Sequence, residues 1–252
     1  MGGIKMKIQE AQQFYRKQFD LYGKHIDYPE LDEGLAADIV EQMGRPFTSV
    51  LELGAGKGNL ARCLAGCGKS VTTVELVPEL VEYAEQFQSP DVTSICGSFY
   101  DIELPRQFDA VLYMDGFGVG TDAEQLQLLR RIHNWLCDDG AALIDIYEPT
   151  YWKQTSGRTM TLPGDVSRVY GYDDSRNRMT DTWWPTDRPD EKMTQSLACY
   201  SLDDIHKLCK QARLQIVAYF PGGTMDFDTW TYHEVASLAQ CISYRIKVMK
   251  MR

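Results

Sequence analysis

Apolar side chains recur at helical spacing from the start of the chain. Ile8, Ala11, Tyr15, Phe19 and Tyr22 share one face of a helix expected over residues 4–22. Leu31, Leu35, Ile39 and Met43 form a second stripe, which stops at Gly44 with Pro46 just beyond. The pattern then changes. Short, nearly continuous apolar runs at Ser49–Leu53, 71–75, Val92–Cys96, 108–114 and 141–147 read as buried strands. Helical stretches are interspersed at 60–65, 78–87 and 121–136. Pro78 suits a first helical turn, and Thr121-x-x-Glu124 is a capping box. Strands alternating with helices predict an α/β architecture, a mostly parallel sheet with helices on both faces.

Residues 149–200 interrupt the alternation and are rich in Thr, Arg, Asp and Trp. Runs at 166–172, 178–184 and 197–200 predict short antiparallel strands, in a β-rich insertion packed on the sheet. A helix at 202–212 and a strand at 214–220 resume the α/β pattern. The last run, 242–249, is expected to pair antiparallel at the sheet edge. Seven strands in all are expected in the main sheet.

Composition narrows the class. The chain has 252 residues, ample for a buried core. Its 44% hydrophobic and 25% charged residues exclude chain-wide disorder. A formal net charge of −10, from 26 basic and 36 acidic residues, argues against a nucleic-acid partner and against docking on anionic membranes. No apolar run approaches the roughly 20 residues that span a bilayer. The first residues show no signal-peptide stretch, and Met6 departs from the Ser or Thr of a myristoylation site. Seven cysteines without a C-x-x-C pair predict reduced thiols in a cytoplasmic protein. The four histidines show no metal-binding spacing, so no metal is expected.

The strongest chemical signal is Glu52-Leu53-Gly54-Ala55-Gly56-Lys57-Gly58, set between an expected strand and helix. Glycines let the backbone turn tightly and approach a ligand, and the helix N-terminus behind offers unpaired N–H groups. A dinucleotide fingerprint requires G-x-G-x-x-G, and here position 59 is Asn. Glu52 beside the loop repels a pyrophosphate but suits a cationic ligand. Glu75 ends the second strand, where a carboxylate accepts from both hydroxyls of a ribose. A ligand with a ribose, a cation and no phosphate fits better than a nicotinamide dinucleotide.

These residues resemble those of class I S-adenosylmethionine-dependent methyltransferases of the small-molecule type. E-x-G-x-G-x-G at 52–58 is similar to the family's first motif, and Glu75 to the acid ending its second strand. Cys96-Gly97-Ser98-Phe99 falls where the family reads adenine, with Ser98 at a position that is often Asp. Phe108-Asp109-Ala110-Val111 and Leu136-x-x-x-Gly140-Ala141-Ala142-Leu143-Ile144 resemble the fourth strand and the passage into the fifth. The resemblance implies a Rossmann-like seven-stranded sheet and S-adenosyl-L-methionine as cofactor. It implies cofactor contacts from Glu52, Gly54, Ala55, Gly56, Gly58, Asn59, Glu75, Leu76, Gly97, Ser98, Phe99, Met114 and Asp115. The expected organisation is a helical lid at 1–48, a cofactor-binding core at 49–148, a substrate-shaping insertion at 149–200 and the rest of the core at 201–252.

Tyr113-Met114-Asp115-Gly116-Phe117 is neither the Asn/Asp-Pro-Pro-Tyr/Phe signature of base and protein amino-methylation nor a Pro-Cys pair. With the acidic charge, this favours a small-molecule acceptor methylated on nitrogen or oxygen. Tyr15, Phe19, Tyr22, Phe117, Tyr147, Trp152 and Trp183 are its expected contacts, with Glu148 and Trp184 nearby. Aromatics among carboxylates suit a cationic or amine-bearing acceptor. His25, in the loop between the two leading helices, is a candidate base, whereas His133 shares the apolar face of Leu129 and Leu136. Two rival readings stand beside this one: a non-catalytic binding or regulatory protein on the same fold, and a nicotinamide-dependent oxidoreductase.

Overall fold

The computed structural model describes residues 2–87 and 89–251, with the side chains of residues 2–7 and Leu31 left aside. Helices α1 (Gly2–Leu21) and α2 (Pro29–Met43) flank a short 3-10 turn and lead into β1 (Ser49–Leu53). Then follow α3 (Asn59–Gly66), β2 (Ser70–Glu75), α4 (Pro78–Glu85), β3 (Val92–Cys96), β4 (Phe108–Tyr113), α5 (Asp122–Trp135) and β5 (Leu136–Tyr147). The insertion holds α6 (Pro149–Thr155), β6 (Thr159–Leu162), β7 (Val166–Asp173), β8 (Arg178–Pro185) and β9 (Met193–Ala198). The chain closes with α7 (Leu202–Gln211), β10 (Leu214–Pro221), a β11 (Thr224–Asp226)–β12 (Thr231–His233) hairpin and β13 (Ser243–Lys250).

Seven strands form one sheet in the order β10-β13-β5-β4-β1-β2-β3. The β1–β5 block is parallel, and β13 runs antiparallel to both its neighbours. Period-2 alternation splits the apolar runs between two cores. Val50, Ala110, Leu112 and Leu143 meet Ile39 and Met43 of α2 and Leu60 and Leu64 of α3. Leu51, Leu53, Val111 and Ile144 meet Leu128, Leu129 and Ile132 of α5 and Ile205 of α7. The order reverses at β1 and β4, so the carboxyl ends of β1, β2 and β4 open on one crevice.

Two expectations are corrected. The final strand is not at the edge: β13 sits between β10 and β5, and β10 is the edge strand. Tyr244, Ile246 and Val248 are wholly buried, which an edge position would not provide, whereas Val217 and Tyr219 of β10 stand exposed. The third insertion strand also lies earlier than 197–200. Cys199 and Tyr200 are buried, but their N–H groups donate to Asn177 O and Tyr147 O as the chain returns to the main sheet.

The insertion is a four-stranded antiparallel sheet in the order β6-β7-β8-β9. Its register places Arg168 opposite Trp183, Tyr170 opposite Asp181, and Asp181 opposite Gln195. These side chains therefore share one face, and Trp184 lies on the other. That first face packs on α1, where Phe14 meets Val166, Trp183 and Met193. Among the described residues, no helix is long and apolar enough to cross a membrane.

Candidate active site

The turn after β1 sets the site. Gly54, Gly56 and Gly58 have φ of +68°, +54° and +71°, a left-handed backbone that glycine adopts without cost. A Cβ on Gly56 would meet nothing within 4 Å, so the loop borders open space there. The loop is fixed from behind by Glu75. Gly56 N–H donates to Glu75 Oε2 at 2.8 Å and Val77 N–H to Oε1 at 2.9 Å. Each oxygen keeps a lone pair for a further donor. Burial pushes the Glu75 carboxyl above its usual range, against the pull of those backbone donors.

The crevice is a cavity of about 550 Å³. Its floor comes from Gly54, Gly56, Glu75, Leu76, Ser98, Phe99, Met114 and Asp115, and its far wall from Arg168 and Trp183 of the insertion sheet. Helix α1 covers it with Tyr15 and Phe19, and Tyr22 follows just beyond the helix. Beyond the packing of Phe14, contacts among the described residues fasten the cover. Gln12 Nε2 donates to Leu76 O at 2.9 Å, Arg16 pairs with Glu79 at 2.7 Å, and Phe19 and Tyr22 meet Tyr83 and Trp183 edge-on.

Asp115 follows β4 with φ +50°, uncommon for a residue with a Cβ. Gly116 beside it leaves room for the Tyr113 ring, which a Cβ there would meet at 2.7 Å. Asp115 lines the cavity and is exposed, with protein groups crowded around its carboxylate. Desolvation by those groups raises its pKa; Asp145 and Asp181 add to this, while a hydrogen bond from Tyr147 Oη and the charge of Arg168 oppose it. A carboxylate so placed is a stronger proton acceptor than one in water. Burial also raises Tyr15 far above the ordinary phenol range, so it remains a neutral hydroxyl.

Several expected contacts lie elsewhere. Glu52 is buried within β1 behind the loop, with Oε2 lacking any partner. Burial first, then the Glu75 and Asp32 charges, push its carboxyl up to about 8. Ala55, Gly58 and Gly97 shape the loops without lining the cavity. Asn59 points away and bonds Asp27 and Asp32 at 2.7 and 2.9 Å, tying the loop to the start of α2. Phe117 is wholly buried against Tyr113 and Tyr200, because the chain turns into the core at Gly116. Trp152 packs with Tyr147, Tyr151 and Tyr170 and donates Nε1–H to Ile242 O. Tyr147 reaches the site only through Asp115. Glu148 caps α6, and exposed His25 does not line the cavity.

The structure adds Arg168, Asp181, Tyr113 and Gln12, none singled out beforehand. Arg168 was legible in part: on a strand at 166–172, positions 166, 168 and 170 share a face. Among the described residues, no group of three or more His, Cys, Asp or Glu side chains is placed to hold a metal ion.

Known proteins agree with this architecture. The family described as methyltransferase domain matches residues 50–140. A Staphylococcus carnosus protein named as an uncharacterized methyltransferase is 30% identical over 153 residues, covering 59% of this chain and 73% of the relative. The CcbJ methyltransferase of Streptomyces caelestis has the same fold, with a TM-score of 0.74 at 18% identity, covering 95% of this chain and 98% of that one. The sugar N-methyltransferase KedS8 of a Streptoalloteichus species gives 0.65 at 16% identity, over 94% and 93%.

Proposed function

Because the chain belongs to the class I S-adenosylmethionine-dependent methyltransferases, we propose that it methylates a nitrogen or oxygen of a small-molecule acceptor, with nitrogen favoured. The observation that carries the choice is Asp115, a carboxylate with a raised pKa facing the aromatic end of the cavity. The residues present fit the cofactor. The open space at Gly56 gives a chain of atoms room against the loop, and Glu75 keeps lone pairs for ribose hydroxyls.

When bound, S-adenosylmethionine supplies an electrophilic methyl group on a sulfonium, open to in-line displacement. The chain's own residues supply position and dryness. Gly54, Gly56 and Glu75 hold the methionyl and ribose parts, and Ser98 and Phe99 frame the adenine. Tyr15, Phe19, Tyr22 and Trp183 enclose the acceptor, and α1 keeps water out. An amine attacks only when uncharged, so Asp115 takes the ammonium proton on its free oxygen while Tyr147 holds the other. Structures of this fold titled a sugar N-methyltransferase and a glycopeptide N-methyltransferase support nitrogen. The net charge of −10 supports a small acceptor over a polyanion or an anionic membrane, and seven free thiols suit a cytoplasmic setting.

The test is label transfer from methyl-labelled cofactor to a panel of arylalkyl amines and matched phenols, with Asp115→Asn beside the wild type. Label in amines, lowered about 100-fold by Asp115→Asn, is expected. Label in phenols alone, or an undiminished variant, contradicts the nitrogen reading.

A further inference from the structure

Among the described residues, two cationic side chains reach the cavity. Lys57 is engaged by Ile26 O and Asp27. Arg168 is only half engaged. Its Nε donates to Asp181 Oδ1 and its Nη2 to Oδ2, both at 2.7 Å. That pairing uses one edge of the guanidinium. Among the described residues, the other edge, Nη1 with the second hydrogen of Nη2, has no protein partner, and Arg168 lines the cavity. Asp181 is wholly buried, so the clamp comes from behind. The Tyr170 and Trp183 rings lie 4.5 and 4.7 Å from the guanidinium carbon and fix its plane.

A buried ion pair of this kind adds little net stability, because desolvation offsets its attraction. The arrangement does aim a planar two-donor fork. Asp115 faces the same cavity and is fixed from behind by Tyr147. Arg168 and Asp115 feel each other's charge, yet no ion pair joins them. Each is held by its own partner, and the opposite charges remain apart, Asp115 on the floor and Arg168 on the far wall of one cavity. A ligand complementary to both is itself dipolar. A simple amine would cover Arg168 and leave its free edge desolvated without an acceptor.

We propose that the methyl acceptor is an amino carboxylate, docking its carboxylate on the free edge of Arg168 and its amine against Asp115. This deepens the methyl-transfer reading and rests on it. The fork of an arginine matches the two oxygens of a carboxylate in one plane, which an ammonium does not. Tyr15, Tyr22 and Trp183 give the remainder of the acceptor an apolar surround.

The experiment uses the full chain loaded with S-adenosylhomocysteine and two probes, 3-phenylpropionate and 3-phenylpropanamide, followed by calorimetry. They match in shape and differ in charge. The acid is expected to bind about tenfold tighter or more, the effect of hydrogen bonds to a charged group. Arg168→Lys keeps a cation beside Asp181 and loses the fork, so most of that preference should go. The double variant R168Q/D181N removes both charges together, leaves neither buried alone, and should abolish it. Affinity for S-adenosylhomocysteine, measured separately, should stay within about twofold in both variants. Equal binding of the probes, binding of neither, or a preference that survives in the double variant overturns the proposal. A chain that fails to bind S-adenosylhomocysteine refutes the cofactor reading instead, and the probes are then compared on the unloaded chain.

Discussion

Glu52 and Glu75 are both buried carboxylates of the same sheet, and their environments set them apart. Glu75 accepts two backbone N–H groups, whereas Glu52 Oε2 accepts none. With its carboxyl pushed up to about 8 in the folded chain, Glu52 opposes folding wherever the unfolded group ionises first. The penalty is absent below its ordinary value near 4.5, grows as pH rises, and is complete above about 8. Glu52→Gln should therefore gain roughly 2–5 kcal/mol relative to the wild type between pH 4.5 and pH 8.5. Urea unfolding at both pH values checks this, and a difference independent of pH refutes it. Glu75→Ala should weaken S-adenosylhomocysteine binding by about 1–3 kcal/mol, read by calorimetry; unchanged affinity removes Glu75 from the ribose. At this scale the loop glycines and Glu75 were legible because the motif encodes a local backbone path. Phe117 and Trp152 were not: an aromatic near a strand end reads the same whether it faces a cavity or the core. The role of Arg168 is not legible because its partner, Asp181, lies on another strand, and only pairing brings them together.

The elements show the same division. Ser49–Leu53 and Val92–Cys96 are found as expected, since each is a short apolar run bounded by residues that end strands. The capping box is present, with Thr121 Oγ1 accepting from Glu124 N–H and Glu124 Oε2 accepting from Thr121 N–H. Thr121→Ala should lower stability by about 1 kcal/mol, seen as a fall of about 2–4 °C in Tm; an unchanged Tm would show that the cap adds nothing. Helix α6 is not legible in the sequence although Pro149 follows its Glu148 cap, because its seven residues show too little periodicity. The place of β13 inside the sheet depends on which strand pairs with β5, and order along the chain does not fix that. Among the described residues, helix α1 contributes one buried side chain, Phe14, with Tyr15 and Leu21 half-buried against its cluster, so it is fastened less firmly than the sheet. Removing residues 1–28 should leave the sheet folded and lower turnover about 100-fold. Full turnover by the shortened chain would show that α1 is not the lid.

Across the whole molecule, two layers meet at one cavity. The main sheet brings the glycine loop, Glu75 and Asp115 to its floor, and the insertion sheet brings Arg168 and Trp183 to its far wall. The first half of this design is written in one stretch of chain, from β1 to just past β4, within the longer stretch through β5 that carries the family resemblance. The second half arises where distant segments pack, and there the sequence offered only a supply of aromatic and charged residues. The central claim is that this cavity takes S-adenosylmethionine. Calorimetric titration of the full chain with S-adenosylmethionine and S-adenosylhomocysteine, with NAD as control, tests it most directly. Micromolar binding of both sulfur ligands and none of NAD is the predicted result; no binding of either, or binding of NAD in their place, would contradict the account.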